Sequence, residues 1–389
     1  MAETVHAAIN PIYHTMSAIF DVESLGTDDL IEALPDGAYI VDPERKIIYW
    51  NAAAERITGW ERSEVVGRCC SDNILVHVDK DGHPLCGREY CPLHRSMVTD
   101  QTSRKPMLIF ARSKSGSRIP VEVTVSPLHD EHGQVIGGIE MFRDMSETMG
   151  DLNRARLIQK TSIRHKLPQD DRIRILTRYV PHDLVGGDFI HIESIDEDRY
   201  SILVADVMGH GIAAALYTMQ LRSLCEEHHA LLGTPSAFLA LLNNGLCVLT
   251  QDDIHFATAV HLVVNANTGA IQYALAGHEH PMPCPTGTPD ERGPCLGMLP
   301  DASYPSIDAR MEHGDSLLLY TDGAIEVRNA EEQELGKDGL ENKLRESMGE
   351  NGQVLDRLEE ALVRFNNDIR LEDDLTLVLV TWKGGDRVI

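Results

Sequence analysis

No apolar run in this chain approaches the roughly 20 residues that cross a bilayer, and its start, MAETVHAAINPIYH, is not a basic segment followed by an apolar core. Both absences predict a cytoplasmic protein with no membrane partner. Basic residues are scarce beside acidic ones, 35 Lys plus Arg against 61 Asp plus Glu, for a net charge of −26. A field of that sign repels nucleic acid and anionic lipid, so nucleic acid is not an expected partner. The sequence holds no G-x-S-x-G, no C-x₅-R and no G-x₄-G-K-[ST], which leaves serine or cysteine nucleophile chemistry and Walker-type nucleotide binding unsupported. VGGDF lacks the Glu of the GGDEF signature of diguanylate cyclases. The 8 cysteines form no C-x-x-C pair. Without an export signal they read as reduced thiols, metal ligands or redox sensors before a disulfide framework.

What is present is organised around Ser201 to Leu221, SILVADVMGHGIAAALYTMQL. Its first part is a short β-compatible run and its second, from Ile212, an alanine-rich helix former. Between them Asp206 precedes a turn bracketed by Gly209 and Gly211. A carboxylate at a strand end beside a glycine turn offers oxygen ligands to a hard cation.

The 389 residues suit two or three domains. Residues 1–26 read as a helical lead, with Ile19, Phe20, Val22 and Leu25 as its apolar surface. After Asp28, Ala38–Val41 and Lys46–Trp50 read as a hairpin across the turn 42–45. Asn51 caps a helix that Gly59 ends. Three further strands lie in PMLIFARS, GSRIPVEVTVSPL and QVIGGIEMFRDMSE. The runs ALPDGAYIVDPERKIIYWNAAAERITGWERSEVVGR and RIPVEVTVSPLHDEHGQVIGGIEMFRDMSE, with their separation, resemble a PAS sensory domain over residues 27–147. The resemblance implies an antiparallel sheet flanked by short helices, dimerisation, and sensing of a ligand, redox state or partner.

Within that segment Cys69, Cys70, Cys86 and Cys91 accompany His77, His83 and His94. Thiolates and imidazoles suit zinc, an Fe–S cluster or haem, and a low-pKa thiol pair suits redox sensing. The alternative is an ordinary core in which small thiols pack as hydrophobes and no ligand is held. We carried forward Cys69, Cys70, His77, Cys86 and Cys91 as a sensor-site expectation. In the connector, residues 148–169 with their approach from 143, Met145, Met149, Leu152, Arg156, Gln159 and Ile163 recur at spacings of four and three, a coiled-coil seam with Ala155 and Ile158 beside it. This predicts a homodimer through the PAS domain and linker helix, and a switch between them; a solvated helix docked on one domain is the alternative.

Residues 170–389 carry the chemistry. Asp188 in LVGGDFI, Asp206 in VADVMGHG, Asp322 in LLLYTDGAIE, and Asp373-Asp374 in LEDDLTLVLV each adjoin an apolar strand. Aspartate is a poor strand residue, so four such placements point to convergence on hard cations. Two ions bridged by one carboxylate would generate a hydroxide at neutral pH and clamp phosphate oxygens, as ester hydrolysis requires. His210 and His278 are open to a leaving-group role or a structural one. Residues 340–366 read as an amphipathic helix pair broken near 349–352.

RARLIQKTSIRHKLP, PHDLVGGDFI, VADVMGHGIAAAL, FATAVHLVV, ALAGHEHPMP, LGMLP, GDSLLLYTDGAIEV and EDDLTLVLV occur in the order and spacing of SpoIIE-type phosphatases, bacterial members of the metal-dependent PPM protein phosphatases. The resemblance covers residues 150–383. It implies an α+β chain whose last domain is an α-β-β-α sandwich, and hydrolysis of phosphoserine or phosphothreonine on a STAS-type anti-anti-sigma protein. Carried over, Asp206 bridges two Mn²⁺ or Mg²⁺ ions, the Val207 carbonyl and Asp188 support one, Asp322 and Asp373 hold the other, and Asp374 orients a water or replaces Asp373. The chain departs from the family at Ile190-His191, where Tyr-Asp is usual, at Glu279-His280-Pro281 and at Cys295. His191 in place of an acid weakens a metal site on this reading and favours a second one, a sensory scaffold that binds the STAS partner without catalysis. A third keeps the hydrolase with a small phosphate ester as substrate.

Overall fold

The computed structural model describes residues 26–80, 82–87, 90–103, 105–162, 169–209, 211–249, 255–285, 289–349, 353–367 and 371–384. The expected lead over residues 1–25 falls outside these, as do Ile163 and His210. The chain forms two compact units, Met1–Asp151 and Leu152–Ile389.

The first unit is built on five antiparallel strands in the order β2-β1-β5-β4-β3. These are β1 (Gly37–Val41), β2 (Ile47–Trp50), β3 (Met107–Arg112), β4 (Arg118–His129) and β5 (Val135–Asp144). The short helices are α1 (Thr27–Glu32), α2 (Ala52–Thr58), α3 (Arg62–Val65) and α4 (Pro92–Thr99). Asn51 caps α2 as expected: its Oδ1 accepts from the Ala54 amide at 2.8 Å and from Ala38 on β1 at 2.9 Å. Gly59 ends α2 in the left-handed region at φ 76°, where a side chain would be strained. Tyr39, Trp50 and Phe142 pack ring against ring in the core.

Helix α5 (Ser146–Ser162) leaves β5 and crosses the boundary between the units. Its seam is only partly a helix-pair surface. Arg156 is exposed, while Gln159 is buried within its own chain. The Gln159 side chain donates to the Gly186 carbonyl (2.7 Å) and accepts from the Gly186 amide (3.2 Å). A polar seam position has thus become an internal docking contact.

The second unit is an α-β-β-α sandwich of two antiparallel sheets, ordered β11-β10-β9-β8-β7 and β12-β13-β6. The strands are β6 (Ile173–Val180), β7 (Asp188–Ser194), β8 (Arg199–Val207), β9 (Ala257–Asn265), β10 (Ala270–Ala276), β11 (Ile307–Arg310), β12 (Ser316–Tyr320) and β13 (Leu375–Trp382). Ile190, Ile202, Val204 and Leu262 meet Leu317, Leu319, Val378 and Val380 between the sheets. On the outer face of the larger sheet, Leu203, Ala205, Ala257, Ala259 and Ala274 lie under α6 (Ile212–Glu227) and α7 (Pro235–Leu249). Their small side chains let the helices approach closely. The other sheet buries Leu318, Leu375, Leu377 and Leu379 beneath α8 (Gly336–Ser347) and α9 (Val354–Phe365). Strand β8 is covered on both faces, which is why it reads as a continuous apolar run and not an alternating one. No helix among the described residues is long and apolar enough to cross a membrane.

Candidate active site

Asp188 and Asp206 stand opposite one another in the β7–β8 register, and cross-strand neighbours bring their Cβ atoms to about 5 Å. From the other sheet, Asp322 opens the 3₁₀ turn that follows β12, and Asp373 precedes β13. A cavity of about 340 Å³ is lined by Asp206, Val207, Met208, Gly209, Thr258, Asp322 and Asp373, with His182, Phe256 and Glu372. Gly209 and Gly211 lie at φ 85° and 81°. Their left-handed backbone is what folds the turn after Asp206 back into the start of α6.

The carboxylates perturb one another strongly. Burial, then the charges of Asp322, Asp373 and Asp374, push Asp206 up to about 8. Burial and Asp373 push Asp322 up to about 6, and burial and Asp206 raise Asp188 well above the carboxylate range. The Thr321 hydroxyl donates to Asp188 Oδ2 at 2.8 Å, while Asp188 Oδ1 is buried with no hydrogen-bond partner. Among the described residues no three His, Cys, Asp or Glu side chains close on one point as a ready-made ligand set; Asp206, Asp322 and Asp373 line an open cavity, and Asp188 is buried opposite Asp206. An orphaned buried oxygen amid acids that resist joint ionisation is the donor set a hard divalent cation satisfies, so the residues present fit such an ion.

Asp374, expected beside the ions, is engaged by backbone amides. Its Oδ1 accepts from the His182 amide at 2.6 Å, and its Oδ2 from the amides of Gly187 (2.6 Å) and Asp188 (3.4 Å). Both oxygens clamp the loop that delivers Asp188, and Asp374 is absent from the cavity wall. Gly186 has no spare room beside this clamp, since a Cβ there would lie 2.2 Å from Asp374 Oδ2 and from the Tyr179 hydroxyl.

Of the departures from the family pattern, His191 and Glu279 are absent from the cavity lining, while burial and then the charge of Asp206 raise the Cys295 thiol. His191 lies three positions beyond Asp188 on β7 and so projects to the opposite face, where its Nε2 faces Glu193 at 3.5 Å. It replaces no ligand, and the expected weakening of a metal site does not follow from it. Glu279 bridges Arg292 (3.2 Å) and Lys337 (2.6 Å). His278 is buried, with Nδ1 at 2.8 Å from the Thr258 hydroxyl, and burial pulls it down to about 4. It is neutral and off the cavity wall, which fits orienting Thr258 and not protonating a leaving group. Thr258 and Thr321 stand in the sequence only inside the strings FATAV and YTDGA, and Gln159 reads there as a seam position and not as a partner of Gly186.

In the first unit Cys70, Cys86, Cys91 and His77 share one neighbourhood around Glu140, while Cys69 and His83 take other partners. Cys70 and Cys91 belong to the buried core with Tyr39. Cys69 turns to the Ser71 hydroxyl at 3.1 Å, and His83 is exposed and paired with Asp79. Cys86 Sγ accepts from the His77 amide at 3.0 Å. Burial pushes the Cys86 thiol up to about 11 and raises Cys70 and Cys91 as well. These thiols are protonated, the opposite of the low-pKa pair that redox sensing calls for. All 8 cysteines are free.

Comparison with known proteins agrees unit by unit. Residues 31–149 match the PAS fold family, and residues 196–383 match the family described as stage II sporulation protein E (SpoIIE). The chain is 32% identical over 191 residues to phosphoserine phosphatase RsbP of Bacillus subtilis (strain 168), covering 46% of each protein. It is 26% identical over 309 residues to phosphoserine phosphatase RsbU of the same organism, covering 77% of this chain and 88% of that one. Among solved structures, the SiaA-PP2C domain of Pseudomonas aeruginosa superposes with TM-score 0.50 at 22% identity, over 62% of this chain and 97% of that one, a likeness of fold. The chain therefore joins a segment that matches the PAS fold family to one that matches the SpoIIE family, and its relatives include two phosphoserine phosphatases.

Proposed function

We propose that the protein is a PAS-regulated, metal-dependent serine/threonine phosphatase acting on a phosphorylated STAS-type anti-anti-sigma protein. The observation that carries the reading is the gathering of Asp206, Asp322 and Asp373 from two sheets at one cavity, with Asp188 buried opposite Asp206 in the β7–β8 register and one of its oxygens unpartnered. Asp206 would bridge two Mn²⁺ or Mg²⁺ ions, with Asp188 and the Val207 carbonyl at one and Asp322 and Asp373 at the other. Such ions, when bound, supply Lewis acidity toward phosphate oxygens and acidify a water. The chain's own part is positional: Thr321 and Asp374 hold Asp188 in place, and His278 turns the Thr258 hydroxyl on the cavity wall. The order of domains and the phosphoserine phosphatases RsbP and RsbU support a protein substrate.

The proposed domains are 27–147, the linker helix 148–169 and the phosphatase domain 170–389. Exposed Leu157 and Ile158 on α5 support a homodimer through the linker. The scaffold reading loses its main support once His191 faces away from the cavity. The test is phosphate release from p-nitrophenyl phosphate and from a phosphoserine STAS protein, with Mn²⁺ and with EDTA. Release from both, abolished by EDTA, is expected. Release from neither under any divalent metal overturns the proposal, and release from the small ester alone restricts it to small esters.

A further inference from the structure

Strand β5 carries one buried acid, Glu140, in the middle of the PAS core. It pairs with Tyr39 on β1 and Val125 on β4 and is 1% exposed. Its Oε1 lies 3.5 Å from His77 Nε2, and His77 is 4% exposed. Neither atom has another hydrogen-bond partner. The Tyr39 hydroxyl is bonded to the Glu140 carboxyl. The other titratable groups facing the pair are the thiols of Cys70, Cys86 and Cys91, all held protonated by burial, and Arg118 at the start of β4, whose charge disfavours a charged His77. Among the described residues no cation pairs with Glu140.

We propose that His77 and Glu140 form a proton-operated switch in the core of the PAS domain. With the proton in place the pair is a neutral acid against a neutral imidazole, which an apolar core tolerates. When it leaves, β5 carries a buried carboxylate with no counter-charge, which such a core does not tolerate. Burial pushes Glu140 up to about 8 and pulls His77 down to about 4, so the proton is lost as pH rises through about 8. Below that the site holds one proton, on the carboxyl. Glu140 lies four positions before the end of β5, and α5 follows at Ser146. A loosened β5 is therefore connected by unbroken chain to the helix whose Gln159 holds the Asp188 loop.

The test uses the full chain and does not depend on phosphatase activity. Infrared spectra at neutral pH should show a carboxylic-acid C=O band that is missing from Glu140→Gln and fades in the wild type as pH passes about 8. Hydrogen exchange of β5 peptides, corrected for intrinsic rates, should rise by up to about tenfold per pH unit between about pH 4.3, where a solvated Glu titrates, and that midpoint, level off above it in the wild type, and stay flat in Glu140→Gln. His77→Gln offers the carboxyl a donor, so the band should persist with a lower midpoint; it serves as the informative variant should Glu140→Gln not fold. No difference in the acid band between wild type and Glu140→Gln at neutral pH overturns the proposal. So does a band, or a β5 exchange rate, that is unchanged from about pH 6 to about pH 10.

Discussion

Replacing Gly186 by Ala tests whether the Asp188 loop is held as tightly as its contacts imply. The added Cβ would stand 2.2 Å from Asp374 Oδ2 and from the Tyr179 hydroxyl, and 2.8 Å from Asp374 Cγ. Asp374 is buried and cannot swing into solvent. Relief requires a movement of about 1 Å or more, to reach ordinary contact. That movement breaks the 2.6 Å bond from the Gly187 amide to Oδ2. A lost hydrogen bond to a charged group costs about 2 kcal/mol, and overpacking a filled site about 1–3 kcal/mol, so the expected destabilisation of the second unit is about 4 kcal/mol. Urea denaturation followed through exchange of peptides covering β7 and β13 reads this cost, and phosphate release should fall with it. A Gly186→Ala chain within about 1 kcal/mol of wild type and fully active would refute the clamp.

Gln159→Leu leaves both Gly186 backbone groups without their partner; an expected cost of about 1–3 kcal/mol should appear as faster exchange at residues 186–188, and unchanged exchange would contradict it. Asp170 accepts from Arg172 and from the Tyr200 hydroxyl, and the Arg172 guanidinium holds its carboxyl far below the usual carboxylate range. Its contribution is therefore present above pH 3.8 and lost as pH falls below it; Asp170→Asn should destabilise the second unit at neutral pH and flatten its acid limb in pH-dependent melting. His278→Ala should lower kcat several-fold through a misdirected Thr258 without abolishing turnover, and a pH–rate profile of unchanged shape would bear out a positioning role. A lost alkaline limb would argue instead for a general acid that protonates the leaving group.

The four core aspartates were legible because each sat beside an apolar strand that had no other use for it, and β8 because burial on both faces leaves an unbroken apolar run. Adjacent acids defeated the same logic. Nothing local separates Asp373 from Asp374, and only the packing of the 182–188 loop against the start of β13 gives one to the cavity and the other to backbone amides. Gln159 read as a weak seam position because its partner, Gly186, is distant in the chain. The position of His191 was available from strand alternation, three residues from Asp188 being the opposite face, but the family pattern drew attention to identity over direction. Glu140 was hidden inside an apolar strand, where a single acid reads as a solvent-facing residue until its neighbours are known.

The most direct test of the central account compares wild type with Asp206→Asn for Mn²⁺ binding by calorimetry and for Mn²⁺-dependent phosphate release from a phosphoserine STAS protein. The account predicts saturable Mn²⁺ binding and turnover in the wild type, and loss of both by a factor of about 100 or more in a variant that still folds. Turnover near wild type in Asp206→Asn, or a wild-type chain that releases phosphate equally well in EDTA, would contradict it.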